Sequence, residues 1–191
     1  MKLLAAAVIA ALPLAALGAA ENYKIDPDHT YPNLEFSHMG ITTWRGKFTK
    51  NEGRVVLDRA AHTGTVEVRT QTASIDFGHA GMHDIAITDD WLDVAKYPVM
   101  TYKGKLRLEG DMPTSLEGDL TLHGVTKPLT LRIVSFKCID HPFFKREVCG
   151  AEAEGDLKRS DYGMTLYTDG DLGFDKLHLR IQVEAMKEGL F

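Results

Sequence analysis

The sequence is poor in the features that mark most function classes. Only two cysteines occur in 191 residues, too few for a disulfide scaffold or a Cys-rich metal site. Positive charge is in deficit: 22 Lys and Arg stand against 27 Asp and Glu, a formal net charge of −5. A protein that tracks phosphates carries the opposite balance, so nucleic acid is excluded as the leading partner. No G-x-S-x-G elbow, H-E-x-x-H helix or phosphate-cradling glycine loop is present, which weakens an enzymatic reading. Past the first 20 residues no apolar run is long enough to span a bilayer as a helix, and no low-complexity linker or repeat divides the chain. Hydrophobic residues at 44% and charged residues at 26% are ordinary globular usage, so one domain with a true core is expected.

Residues 1–20 have a positive start at Lys2, an apolar stretch from Leu3 to Leu17, and a small-residue end at Gly18-Ala19-Ala20. This is the pattern of a secretory signal peptide, with cleavage expected after Ala20. The stretch is short for a membrane anchor and contains Pro13. No cysteine follows the cut to carry a lipid, and no twin-arginine pair precedes the apolar stretch. The mature chain, 21–191, is therefore expected in an oxidising extracytoplasmic space, the periplasm. There, Cys138 and Cys149 are expected to form a bridge worth roughly 2–3 kcal/mol; their spacing is not that of a reactive C-x-x-C dithiol.

Period-2 alternation dominates the mature sequence. Leu177, Leu179, Ile181 and Val183 alternate with His178, Arg180, Gln182 and Glu184, which buries one face and wets the other. The same pattern runs through 116–123 and 129–133. Further strands are expected at 33–41, 43–50, 53–58, 64–72, 98–108 and 150–158. Asn51-Glu52-Gly53, Glu109-Gly110-Asp111, Gly124 and Asp169-Gly170-Asp171 carry the chemistry of chain reversals. One interval breaks the pattern: between His79 and Lys96, Thr88-Asp89-Asp90 can cap a short helix through Trp91, Leu92 and Val94, ended by Pro98. The expected fold is all-β, an antiparallel barrel of about eight strands with one helical insert. Such a barrel is either filled by side chains or holds one small ligand, and alternation leaves that choice open.

Several segments stand out in order: Tyr23-Lys24-Ile25-Asp26-Pro27-Asp28-His29-Thr30, Phe36-Ser37-His38-Met39-Gly40, Arg45-Gly46-Lys47-Phe48, Ser74-Ile75-Asp76 and His83-Asp84. They continue with Trp91-Leu92-Asp93-Val94-Ala95-Lys96-Tyr97-Pro98, Gly118-Asp119-Leu120-Thr121-Leu122-His123-Gly124-Val125-Thr126-Lys127-Pro128 and Arg159-Ser160-Asp161-Tyr162-Gly163-Met164. Their number, order and spacing closely resemble the YceI-like family from about Glu21 to Met186. The resemblance implies an extended lipocalin-like barrel, usually exported. It also implies an elongated apolar interior for a long-chain amphiphile (a polyisoprenoid, a quinone-related lipid or a fatty acid derivative) and no agreed catalytic residues. The family often has a basic residue before the aspartate that matches Asp84; here it is His83.

The candidate apolar lining is Phe36, Val68, Leu120, Leu122, Leu131, Ile133, Leu179 and Ile181. Polar candidates are His38, Arg45, Asp84, Tyr97, Arg159 and Tyr162. His38 shares the strand face of Leu34 and Phe36 and can meet a head group or simply bond a backbone carbonyl. Arg45 and Arg159 offer a fork of donors to a head group, or an ion pair to Asp84 or Asp161. Tyr97 and Tyr162 suit a rim where hydrocarbon meets water. His79 and His83 share a spacing that a metal can use, but a glycine-rich neighbourhood and missing further ligands favour a solvated loop. The expected function is binding, carriage or sequestration of the amphiphile without catalysis, metal or cofactor. A homodimer would suit a protein that hides long hydrocarbon. The alternatives are a stress-response interaction module with a filled barrel, and a metal-dependent enzyme acting on an amphiphile.

Overall fold

The computed structural model describes residues 20–169 and 173–189; the expected signal peptide, Ala20 apart, and the expected reversal at Asp169-Gly170-Asp171, Asp169 apart, lie outside them. Eleven strands form one antiparallel sheet: β1 (Glu21–Ile25), β2 (Tyr31–His38), β3 (Thr42–Phe48), β4 (Asn51–Asp58), β5 (Thr63–Gln71), β6 (Ile75–Asp76), β7 (Val99–Glu109), β8 (Met112–Leu122), β9 (Val125–Asp140), β10 (Glu147–Lys158) and β11 (Lys176–Lys187). Strand β1 pairs with both β4 and β11, so the sheet closes on itself and keeps no open edge there. Strands β1 and β2 follow one another along the same edge of β11, β3 and β4 run in line beside them, and β5 and β6 do likewise. The eleven segments are thus the eight staves of a barrel, three of them broken once.

All three breaks fall at one level, and polar side chains close them. Thr30, Asn51, Thr70, Thr72 and Ser74 are buried there. The Asn51 amide donates to the carbonyls of Thr30 and Phe48, each at 2.9 Å, and its oxygen accepts from Thr70 Oγ1 at 2.8 Å. Ser74 Oγ donates to Gln71 O and accepts from Lys50 N–H. The reversal expected at Asn51-Glu52-Gly53 is instead the start of β4, because Asn51 spends its side chain on this break.

Close approach of β7 and β8 shapes the middle of the barrel. Gly104 and Gly118 face each other. A Cβ on Gly118 would sit 2.2 Å from the Lys103 carbonyl oxygen, so only glycine allows the two backbones this near. Two bulges shift the alternation, leaving Val134 of β9 and Thr114 of β8 without cross-strand partners.

The helix α1 spans Ala80–Ala86, its cap nine residues before the Thr88 that the sequence suggests. His79 caps it, with Nδ1 accepting from Met82 N–H. Thr88 does not start a helix; its hydroxyl donates back to Ile85 O and finishes this one. Residues 88–97 form turns. The register puts α1, the His123-Gly124 turn and a short helical turn at Ser160–Tyr162 at one end of the barrel. The β9–β10 hairpin with its disulfide, the start of β1 and the end of β11 lie at the other. Among the described residues no helix is long and apolar enough to cross a membrane.

Candidate functional site

The barrel is hollow. A cavity of about 230 Å³ runs inside it from Tyr23 and Cys149 at the disulfide end to Trp91 and Arg159 at the helix end. Its wall is almost wholly apolar. Phe36, Val68, Leu120, Leu122, Leu131, Ile133, Leu179 and Ile181 all face it, joined by Ile25, Phe48, Val66, Tyr102, Leu106, Leu116, Leu129 and Val183 among others. Val68, Ile133, Leu179 and Ile181 are only half-buried although they point inward. Both Pro113 and Leu122 of β8 line the space, nine residues apart. At about 3.3 Å per residue and a barrel tilt near 40°, that is a depth of roughly 20–25 Å.

The few polar atoms in the wall are mostly bonded into it. Tyr102 donates its hydroxyl to the carbonyls of Leu116 and Leu129, and burial pushes its pKa above the ordinary phenol value. Arg159 is 3% exposed. Its Nε donates to Phe174 O at 2.6 Å and its Nη2 to Leu166 O at 2.8 Å, so it pins the loop before β11 across the helix end. The guanidinium lies over the indole of Trp91, its carbon 4.1 Å from the ring centroid.

The other polar candidates do not gather at the cavity. Arg45 points outward, 67% exposed at its side chain, and pairs with Glu35 at 2.9 Å, because the alternation of β3 turns Gly46 and Phe48 inward instead. Asp84 is 78% exposed on α1 beside His83, 3.6 Å away, and neither arginine reaches it. Asp161 pairs with Lys127, not with Arg159. His38 lies at the tip of β2, where its ring meets Trp44 and Phe174 outside the cavity wall. Tyr162 is buried in the core rather than at a rim; the backbone of the short helical turn folds it under. Tyr97 is half-buried and packs against His123 with the rings tilted, centroids 4.6 Å apart. His79 and His83 border an outer groove of residues from β6 and the neighbouring loops, with His79 meeting Trp44 edge to face.

At the opposite end, Cys138 and Cys149 face each other across β9 and β10 and are bonded. Arg59 lies against this bridge and joins Glu21, Glu147 and the Tyr23 hydroxyl in one network with Lys187. The hydrogen bond from Lys187, with further help from Tyr23 and Arg59, holds the Glu21 carboxyl below its usual range against the effect of burial. Two other groupings of potential ligand atoms occur among the described residues, Asp26-His29-Glu184 and Cys138-Glu147-Cys149. In the second, both sulfurs are already spent on the disulfide.

Residues 23–185 match the YceI-like domain family. The chain belongs to the YceI-like family. It is 32% identical over 173 residues to Protein YceI of Escherichia coli O17:K52:H18, covering 88% of each chain. Solved YceI-like barrels superpose on it as well. The YCEI protein of Campylobacter jejuni does so with a TM-score of 0.68 at 25% identity, covering 78% of this chain and 88% of that one. BcnA of Burkholderia cenocepacia gives 0.70 at 19% identity, covering 84% and 98%. A polyisoprenoid binding domain of Saccharophagus degradans gives 0.59 at 17% identity, covering 87% and 98%. Three of the segments that carry the family pattern occupy structural turning points of this fold. Tyr23 to Thr30 run from β1 into the first stave break, Gly118 to Pro128 form the β8–β9 hairpin from the β7–β8 close approach onward, and Arg159 to Met164 close the helix end.

Proposed function

We propose that this YceI-like protein binds a long-chain amphiphile in its barrel and carries or sequesters it in the periplasm after removal of residues 1–20, without transforming it. The observation that carries the reading is the cavity itself, an apolar space enclosed along the barrel and walled by branched and aromatic side chains. Such a space takes hydrocarbon out of water at ~0.8 kcal/mol per buried methylene, and needs only one or two polar contacts to orient the ligand. The ligand classes that fit are a polyisoprenoid, a quinone-related lipid or a fatty acid derivative; the superposable Saccharophagus degradans domain is itself a polyisoprenoid binding one. A closed barrel with its disulfide at one end and its loops pinned by Arg159 at the other suits a container rather than a reaction centre.

A chain-length series tests this. Delipidated protein titrated with unbranched amphiphiles of increasing length should gain about fourfold in affinity per methylene and then plateau when the cavity is full. Leu122→Trp, which fills the space at one level of the wall, should bring the plateau to shorter chains. Affinity independent of length, or a plateau unmoved by Leu122→Trp, would overturn the reading.

A further inference from the structure

The apolar wall contains a discontinuity that the binding reading alone does not require. Three buried side-chain polar atoms lack any hydrogen-bond partner among the described residues: Trp91 Nε1, His123 Nε2 and Arg159 Nη1. Two of them belong to residues that touch each other, since the Arg159 guanidinium stacks on the Trp91 ring. Both residues line the cavity. The helix end therefore holds a pair of neighbouring N–H donors with no acceptor among the described residues, in a wall that is otherwise almost wholly apolar.

Charge makes the pair more specific than two spare donors. Arg159 is almost fully buried and stays protonated in any protein environment. Its two satisfied nitrogens bond neutral carbonyls, those of Phe174 and Leu166, and no carboxylate lies within ion-pair distance of it among the described residues. Asp175 attracts it from farther away while accepting the Ser160 backbone N–H. Burial draws the guanidinium below its ordinary pKa, with Asp175 opposing only in part, which is the sign of a cation short of compensation. A buried charge of this kind is stabilised by an anion that accepts the remaining donors.

We infer that Arg159 Nη1 and Trp91 Nε1 form the head-group subsite of the cavity and that the cargo is an anionic lipid, with a carboxylate or phosphate at the helix end and its chain directed toward Tyr23 and Cys149. This rests on the carriage reading and narrows it from amphiphiles in general to acidic ones. Arg159 binds the head by a charge-assisted bond, Trp91 adds a second donor from the ring beneath it, and Leu120, Leu131 and Ile181 hold the chain.

The test uses the full mature chain, delipidated, at about pH 8, with three probes of equal chain length: octadecenoic acid, its methyl ester and octadecenyl phosphate. The acid or the phosphate should bind at least about tenfold more tightly than the ester, as a charge-assisted bond to a buried group implies. Whichever of the two is preferred identifies the anion. Arg159→Gln should bring the acid-to-ester ratio close to one. Because Arg159 also pins the loop before β11, Trp91→Phe serves as the second variant, keeping the ring but removing the N–H; it should lower the same ratio several-fold. An ester that binds the native protein as tightly as both anions overturns the acidic head group and leaves lipid carriage standing. Binding of none of the three overturns carriage and the subsite together. A ratio unchanged in both variants places the anion elsewhere and refutes the assignment to this pair.

Discussion

Replacing Ala151 with leucine asks the barrel whether its interior is space or packing. Ala151 lies on the cavity wall in β10, between Val183 of β11 and Phe136 of β9, which also line the cavity. The substitution adds three carbons directed into the cavity. Burying them gains about 2.4 kcal/mol at ~0.8 kcal/mol per methylene, and fixing the leucine rotamer costs about 0.5–1 kcal/mol, leaving roughly 1.5–2 kcal/mol in favour of the empty protein. In a close-packed core the same change would overfill the site and cost about 1–3 kcal/mol. The two pictures therefore predict opposite signs. Guanidinium unfolding of delipidated protein measures it: the midpoint should rise with an unchanged slope, and the variant should take up less long-chain ligand. A midpoint that falls by more than about 1 kcal/mol equivalent, with ligand uptake as in the native protein, would refute the hollow-barrel reasoning.

Other parts of the structure make separate predictions. Reducing the Cys138–Cys149 bridge, which joins residues 11 apart, should cost about 2–3 kcal/mol in urea unfolding while the far-UV circular dichroism keeps its β-sheet form, because the β9–β10 ladder persists. Gly118→Ala should destabilise by at least about 2 kcal/mol, since its Cβ would meet Lys103 and Gly104 backbone on the facing strand, and differential scanning calorimetry should show the loss. Glu21 has a folded pKa below its ordinary 4.5, so its contribution is fully present above pH 4.5 and disappears as the pH falls through the lower folded value. Thermal melts from pH 5 down to about 2.5 should consequently fall more steeply for the native protein than for Glu21→Gln.

The alternation along the strands made the barrel legible, and the eight apolar residues it selected face the cavity. It could not reveal every wall residue. Pro113 and Phe136 lie across bulges from the patterns of Leu116 and Ile133, and an unpaired residue reverses the parity on which the reading depends. Tyr23 and Ile25 sit in a five-residue strand too short to show a period clearly. The helix was displaced because Thr88 can bond backward as readily as forward, and the sequence does not say which. Among the polar candidates only Arg159 reaches the cavity. A strand position says which face a side chain takes, but Arg45 and Asp84 are governed by neighbours, Glu35 and solvent, that only the folded chain supplies. Trp91 was visible as part of a motif and a helix; its unpartnered N–H depends on the guanidinium and loop that fold over it. The Arg59 network joins residues from β1, the β4–β5 turn, β10 and β11, a grouping that no local spacing encodes.

The central claim, that the barrel interior holds a long-chain amphiphile, is tested most directly by native mass spectrometry of the protein purified without detergent, followed by solvent extraction. The account predicts a discrete added mass that disappears on extraction and is recovered as a lipid. A clean protein mass that persists after incubation with isoprenoid quinones and long-chain fatty acids would contradict it.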